Sequence, residues 1–401
     1  MNQNLIFLLV FLLFYAEIEL VPLLSKTIKI NSYICHLVYL IMKTIFLITT
    51  LIFAVNINAQ IVNIPDTSFK AYLVGQPLNS NNDSEIQVSE ASVFNGSIDC
   101  NYLYISDLTG IEAFTSLTYL DCAWNELTSL DVSQNTALTL LNCSANQLTS
   151  LDVSRNTALT GLYCSANQLT SLDVSQNTAL TVLYCNTNQL TSLDVSQNTA
   201  LTLLNCSANP LTSVDVSHNT ALTQLDCSAN LLTSLDVTQN TALIGLYCNT
   251  NQLTSLDLSQ NTALTALYCD TNQLTSLDVS QNTALTALYC DNNLLQCLNV
   301  KNGNNSNLSS FVAYNNTNLN CIEVDDAAWS SSNWTSVDSG ASFSTNCGNS
   351  CSVAGLEELS TSPKQLIKMI DLMGRETVFK ANTPIIYLYS DGTTERVFKF
   401  E

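Results

Sequence analysis

Nine cysteines stand 21 residues apart: Cys122, Cys143, Cys164, Cys185, Cys206, Cys227, Cys248, Cys269 and Cys290. A fixed period of that length constrains the fold more than any other property of the chain. One unit can be written Leu-x-x-Leu-x-Cys-x-x-Asn-x-Leu-x-x-Leu-Asp-Val-Ser-x-Asn-Thr-Ala. Its first half begins at Leu117, Leu138, Leu159, Leu180, Leu201, Leu222, Leu243, Leu264 and Leu285. So short a unit has no room for a strand, a full helix and two turns. It must be a coil with one short strand and an extended or 3-10 segment opposite. One coil alone cannot offset a backbone entropy cost of ~1–2 kcal/mol per residue, so the copies must stack and share a core.

The frame resembles the leucine-rich repeat, whose pattern accepts Cys in its sixth position. The resemblance covers residues 117–300 and implies a mainly β, right-handed solenoid with a parallel sheet on its concave face. In that pattern the Cys slot points into the core, where a thiol acts as a small hydrophobe. Disulfides between rungs are not expected. In-register side chains keep Cβ atoms near the ~4.8 Å coil spacing rather than the ~3.8 Å of a bridge. Nor does any ladder Cys sit in a C-x-x-C pair or beside a His, which removes metal and redox roles. Asn125, Asn146, Asn167, Asn188, Asn209, Asn230, Asn251, Asn272 and Asn293 are expected to bond the backbone of a buried turn. The Asp column (Asp131, Asp152, Asp173, Asp194, Asp215, Asp236, Asp257, Asp278) has two readings. Each Asp closes an Asx turn, or the repelling carboxylates gather cations.

Charge narrows the partners. The chain has 33 Asp+Glu against 12 Lys+Arg, and Arg155 is the sole basic residue between Leu117 and Leu298. Such a surface cannot neutralise phosphates, which excludes nucleic acid and anionic membranes. Past the leader there is one histidine, His218, in a turn and without partners for a catalytic triad; no enzyme is expected.

The segment "MKTIFLITTLIFAVNINAQ" from Met42 has a lysine, a short apolar run and Ala59 before Gln60. This is the layout of a secretory signal peptide, too short to serve as a transmembrane anchor. Residues 1–59 are assigned as leader, with translation expected to start at Met42. Residues 60–116 are assigned as the N-terminal cap. Within it "NSNNDSEIQVSE" resembles an EF-hand calcium loop, with Asn79, Asn81, Asp83, Glu85 and Glu90 at the first, third, fifth, seventh and twelfth positions. The resemblance implies calcium, the one cofactor suggested, held with Glu90 bidentate. Asn at the first position and Ser84 in place of the turn glycine depart from the pattern, and the alternative is a relic loop.

Residues 301–347 are assigned as a C-terminal cap, with Trp329 and Trp334 as its lids. Cys321 and Cys347 stand outside the ladder in an exported chain, and a disulfide between them is expected. A linker, 348–363, leads to residues 364–401, a small β-sandwich-like domain with a hairpin turn at Asp391-Gly392. This tail resembles the C-terminal sorting domain of the type IX secretion system of Bacteroidetes-type bacteria. The resemblance rests on Asp371-x-x-Gly374-Arg375, "IIYLYSDG" and the basic-apolar finish. It implies that the type IX machinery is a partner and that the protein is secreted or held at the outer cell surface.

The residue before each ladder Cys should face outward from the strand. It reads Asp121, Asn142, Tyr163, Tyr184, Asn205, Asp226, Tyr247, Tyr268 and Tyr289. Tyrosine gives large contact area at low rotamer cost, suiting a protein or glycan ligand in adhesion. Tyr163, Tyr184, Tyr247, Tyr268 and Tyr289 are therefore the candidate ligand contacts, with Asp270 and Asp291 flanking the last three. The competing reading is structural: a stalk, or a regular lattice that coats ice or crystalline polysaccharide.

Overall fold

The computed structural model describes residues 37, 39–45, 60–348, 351, 366–370, 377, 385–389 and 394–397. Most of the expected leader lies outside these residues. No helix among them is long and apolar enough to cross a membrane. They fall into two compact units, one ending at Ala179 and one beginning at Leu180.

The first unit opens with helix α1 (Thr67–Val74), whose N-terminus is capped by Asp66 accepting from Phe69 N at 2.9 Å. This helix buries Phe69 and Leu73 completely. A loop leads to α2 (Val88–Val93). Four parallel strands follow, β1 (Ser97–Asp99), β2 (Tyr119–Asp121), β3 (Leu140–Asn142) and β4 (Gly161–Tyr163), each paired in register with the next. Ile98, Leu120, Leu141 and Leu162 point inward from the middle of these strands.

In the second unit β5 (Val182–Tyr184), β6 (Leu203–Asn205), β7 (Gln224–Asp226), β8 (Gly245–Tyr247) and β9 (Ala266–Tyr268) continue the same parallel pattern. Its last coils carry strands on two sides. β11 (Ala287–Tyr289) and β13 (Ser310–Val312) extend the main sheet. β10 (Ser276–Asp278), β12 (Cys297–Asn299), β14 (Cys321–Glu323) and β15 (Ser342–Ser344) form a second parallel sheet from the opposite segment of the coil. The stacked coils are a parallel β solenoid, as the period requires.

Its rungs are built from asparagine as much as from leucine. Asn146 is typical: its Nδ2 donates to the carbonyls of Cys122 and Cys143 at 3.0 and 3.1 Å. Its Oδ1 accepts from Leu127 N of the coil before at 3.0 Å. The residue just ahead of each such Asn lies in the left-handed region without being glycine, as in Ala145 (φ 53°), Ala208 (φ 50°) and Thr250 (φ 55°). That conformation is costly for residues with a Cβ; the asparagine bonds on either side of the turn hold it in place.

A second asparagine column went unread in the sequence. Asn219 donates to Val195 O and Asn198 O at 3.0 and 2.9 Å, and Asn240 repeats this on Val216 and Asn219. The Asp column follows the first of its two readings. Each carboxylate closes an Asx turn, as in Asp131 accepting from Ser133 N and Asp215 from Ser217 N, both at 2.9 Å. Bonds from the Ser133 backbone and hydroxyl hold the Asp131 carboxyl below its ordinary range.

The ladder cysteines form no disulfide and are buried, and Cys100 adds a tenth rung one coil earlier than the frame predicts. Burial pushes the thiols of Cys143 and Cys185 up to about 12, so they stay protonated and unreactive.

Behind the last coils, Asp326 caps helix α3 (Ala327–Asn333) by accepting from Ala328 N and Trp329 N. Trp334 stacks on Phe311 at 4.3 Å between centroids and meets the edge of Trp329 at 5.6 Å. Its indole Nε1 donates to Leu308 O at 3.2 Å. Two disulfides, Cys321–Cys347 and Cys297–Cys351, staple the second sheet to the segment after β15. Beyond it, β16 (Leu366–Ile370), β17 (Ile385–Tyr389) and β18 (Thr394–Val397) form one antiparallel sheet, with Ile386 opposite Arg396. The turns at Asp371–Arg375 and at Asp391-Gly392 lie outside the described residues.

Candidate binding face

The three-residue strands of the main sheet bury their middle side chain, and in β5 and β11 the outer two are half-exposed, whereas in β8 the first residue, Gly245, is buried as well. The third position is the slot before the ladder Cys, and it divides into two chemical kinds. Asn142, Asn205 and Asp226 turn back on their own chain. Asn205 Oδ1 accepts from Ser207 N and Oγ at 3.1 and 2.7 Å, and Asp226 Oδ1 does the same with Ser228 at 3.1 and 2.6 Å. These slots are explained by local turn chemistry. The tyrosines are not, since a phenol cannot close such a turn.

Tyr247, Tyr268 and Tyr289 stack one above another on β8, β9 and β11, at centroid separations of 5.0 and 4.5 Å. In-register pairing of the three strands makes this unavoidable. Asp270, two residues past Tyr268, is half-buried beside the strip. Desolvation, then the neighbouring Asp291, raises the Asp270 carboxyl above its ordinary range. Asp291 is itself nearly buried and accepts from the Asn292 side chain. The strip thus presents three ring edges next to two crowded carboxylates. Tyr184 stands apart from it, across a hollow of about 260 Å³ floored by Leu203, Asn205, Gln224 and Asp226 and closed by Tyr247. Tyr163 is half-exposed at the end of β4 in the first unit.

Threonine hydroxyls beside the sheet are turned to the backbone. Thr202 Oγ1 donates to Thr181 O at 3.1 Å and Thr286 Oγ1 to Thr265 O at 3.0 Å.

The EF-hand-like loop binds itself. Glu90 Oε1 accepts from Ser80 N, Ser80 Oγ and Asn81 N, and its Oε2 accepts from Gln87 N at the start of α2. Partial burial raises the Glu90 carboxyl, but these bonds outweigh it and hold it below its ordinary value. Glu85 pairs with Lys70 at 2.7 Å, and Asp83 accepts from Glu85 N and Asn81 Nδ2. Asn79 is buried and donates to Val74 O and Asp83 O. Asp83, Glu85 and Glu90 thus bond to protein groups here, while Asn79 Oδ1, at the first position of the loop, is buried and has no hydrogen-bond partner. No group of three or more His, Cys, Asp or Glu among the described residues is placed to hold a metal.

No protein-family model matches the chain. The functional domain of InlJ from Listeria monocytogenes, which includes a cysteine ladder, superposes with a TM-score of 0.57 at 39% identity, over 66% of this chain and 66% of that one. This is a leucine-rich-repeat protein similar to the Listeria internalins. InlF of L. monocytogenes strain 4b F2365 has the same fold, with a TM-score of 0.56 at 20% identity over 70% of this chain and 91% of its own. Among curated proteins, Internalin J of L. monocytogenes serotype 4b matches at 55% identity over 40 residues. That stretch is 10% of this leucine-rich-repeat chain and 4% of the relative, so only a small part of the relative is represented.

Proposed function

We propose that the protein is a non-enzymatic, exported adhesion or interaction protein that holds a protein or glycan ligand on the sheet face, at the strip of Tyr247, Tyr268 and Tyr289. The stacked strip carries this reading. Three phenols in register, where other coils have self-satisfied Asn or Asp, add nothing to the solenoid's backbone bonding. They do give a rigid amphipathic surface at low entropic cost. Similarity to internalins supports an interaction role. Asp270, half-buried beside the strip, would accept hydroxyl or amide donors from the ligand.

The test is a triple Tyr→Ser variant at 247, 268 and 289, screened beside the parent on combined glycan and protein arrays. The half-exposed rings should come out with the solenoid still folded by circular dichroism, and the parent's array hits should disappear. A folded variant that keeps every hit, or one that fails to fold, removes the strip as the binding surface.

Export is read as passing through the type IX machinery by way of residues 364–401. Deleting Lys364–Glu401 should leave the protein in the periplasm of a host with that machinery. Appearance of the truncated chain in the medium or on the surface would end that reading.

A further inference from the structure

Three aromatic side chains in the first unit stand in solvent although nothing in the repeat frame demands them. Tyr102, Tyr104 and Trp124 are 60%, 79% and 58% exposed. All three sit in the left-handed backbone region, with φ of 55°, 55° and 54°. Of the described residues with side chains and positive φ, only these are aromatic; the rest are Ala, Thr or Asn. At Trp124 the turn ahead of Asn125 imposes this backbone as it does in the later coils, so the φ is structural; what the turn does not require is a bulky, exposed ring in place of Ala, Thr or Asn.

Their geometry is specific. The rings of Tyr102 and Trp124 lie 5.3 Å apart and within 10° of parallel. Both occupy the slot two residues past a ladder Cys, so coil stacking lays one ring on the other. One coil further on, that slot holds Ala145, whose left-handed backbone (φ 53°) repeats the turn with only a methyl. The aromatic column stops there, leaving the second face of the indole over a small residue. Tyr102, Tyr104, Trp124, Asn125, Glu126 and Ala145 enclose an open cleft of about 340 Å³. Glu126 is exposed at its edge, with its backbone N–H bonded to Ile105 O.

We propose that this cleft is a carbohydrate-binding subsite that takes one pyranose ring of a glycan on the free face of Trp124. The C–H face of the sugar would continue the aromatic column over Ala145, while Tyr104 flanks it and the Glu126 carboxylate accepts from ring hydroxyls. Stacked face to face, the two rings leave one open face, that of the indole. A quaternary ammonium or lysine ligand is held instead by rings set at angles around a point charge, which this pair does not provide. The subsite lies on the turn following the strand and shares no residue with the tyrosine strip, so it stands or falls separately.

Tryptophan emission tests it. The chain has three tryptophans, and Trp329 and Trp334 belong to the aromatic lid of the second unit. The full mature chain would be titrated with cellohexaose, laminarihexaose and chitohexaose. At least one should shift emission to shorter wavelength in a saturable way. Trp124→Ala should lose the shift with an unchanged melting temperature, because the removed ring is exposed. Trp124→Phe should keep binding by calorimetry, and Tyr104→Ala should weaken it about tenfold. The triple Tyr→Ser variant of the strip should bind as the parent does. No shift with any of the three sugars, or binding that survives Trp124→Ala, overturns the proposal. Loss of the shift in the strip variant alone would move the sugar to the strip and equally overturn it.

Discussion

Replacing Asn230 with Leu should destabilise the second unit by about 3–5 kcal/mol, more than any change to the thiol beside it. The Asn230 Nδ2 donates to Cys206 O, Cys227 O and Ser228 O at 3.0–3.1 Å, and its Oδ1 accepts from Leu211 N at 3.0 Å. Leucine fills the volume but leaves a buried backbone N–H and two buried carbonyls without this partner, at roughly 1–3 kcal/mol for each group left unpaired. Cys227→Ala removes only one sulfur from the core, a loss of about 1–2 kcal/mol in transfer and cavity terms. Urea denaturation of both variants checks the order. If Cys227→Ala proves the more damaging, the thiol column is the structural backbone of the solenoid and the asparagine account fails.

Reduction of the two disulfides should release the C-terminal cap while the cysteine ladder stays intact. The bridges close sequence separations of 54 and 26 residues. Constraint of the unfolded chain by loops of that size is worth about 4 and about 3.5 kcal/mol on the chain-entropy account. Four thiols, those of Cys297, Cys321, Cys347 and Cys351, should then label with iodoacetamide under native conditions after mild reduction. Buried ladder thiols should label only after denaturation. Labelling of ladder cysteines at the same rate, or a melting temperature unmoved by reductant, would contradict this division.

The legible parts of the molecule were those governed by the period. A strand centred on the Leu before Cys, an inward thiol and a backbone-bonding Asn all follow from one side chain recurring at a fixed place in a coil. Where a residue answers to a single local event, periodicity is silent. Cys100 lies 22 residues before Cys122, with Ile98 in the Leu position, so it falls out of the frame although it lines the same core. Cys351 sits in what reads as a polar linker, and only the folded cap brings it to Cys297. The Asn and Asp slots on the sheet face resembled ligand-tuned variation. Their serines two residues on show a turn motif instead, and that pairing was visible in Asn205-x-Ser207 and Asp226-x-Ser228. At the EF-hand-like loop the limit is of a different kind. Ligand spacing along a loop says which residues could converge, but Lys70 and the start of α2 compete for Glu85 and Glu90 from outside the motif. Tyr102 and Tyr104 lie before the first repeat, where no neighbouring copy sets them off; Trp124 stands in the first copy, and its slot, filled by Ala145 and Ala166 downstream, shows it as an exception.

The register of the asparagine bonds makes the length of this protein a digital quantity. In the second unit, Leu190 N meets Asn209 Oδ1, Leu211 N meets Asn230 Oδ1 and Leu232 N meets Asn251 Oδ1, always with the same offset. Excising 201–221 would join two coils through the bonds they already make, because any copy presents the same donors and acceptors to the next. Excising one residue fewer would leave one coil of 22 residues and misalign the asparagine bonds at that junction, while the copies downstream keep their register to one another. A gene built this way can gain or lose whole coils by recombination between its own copies and still encode a folded chain, whereas a single-residue slip costs the bonds at its junction. Reach, and the number of faces offered to a partner, can therefore change in a single generation without a new interface having to be invented.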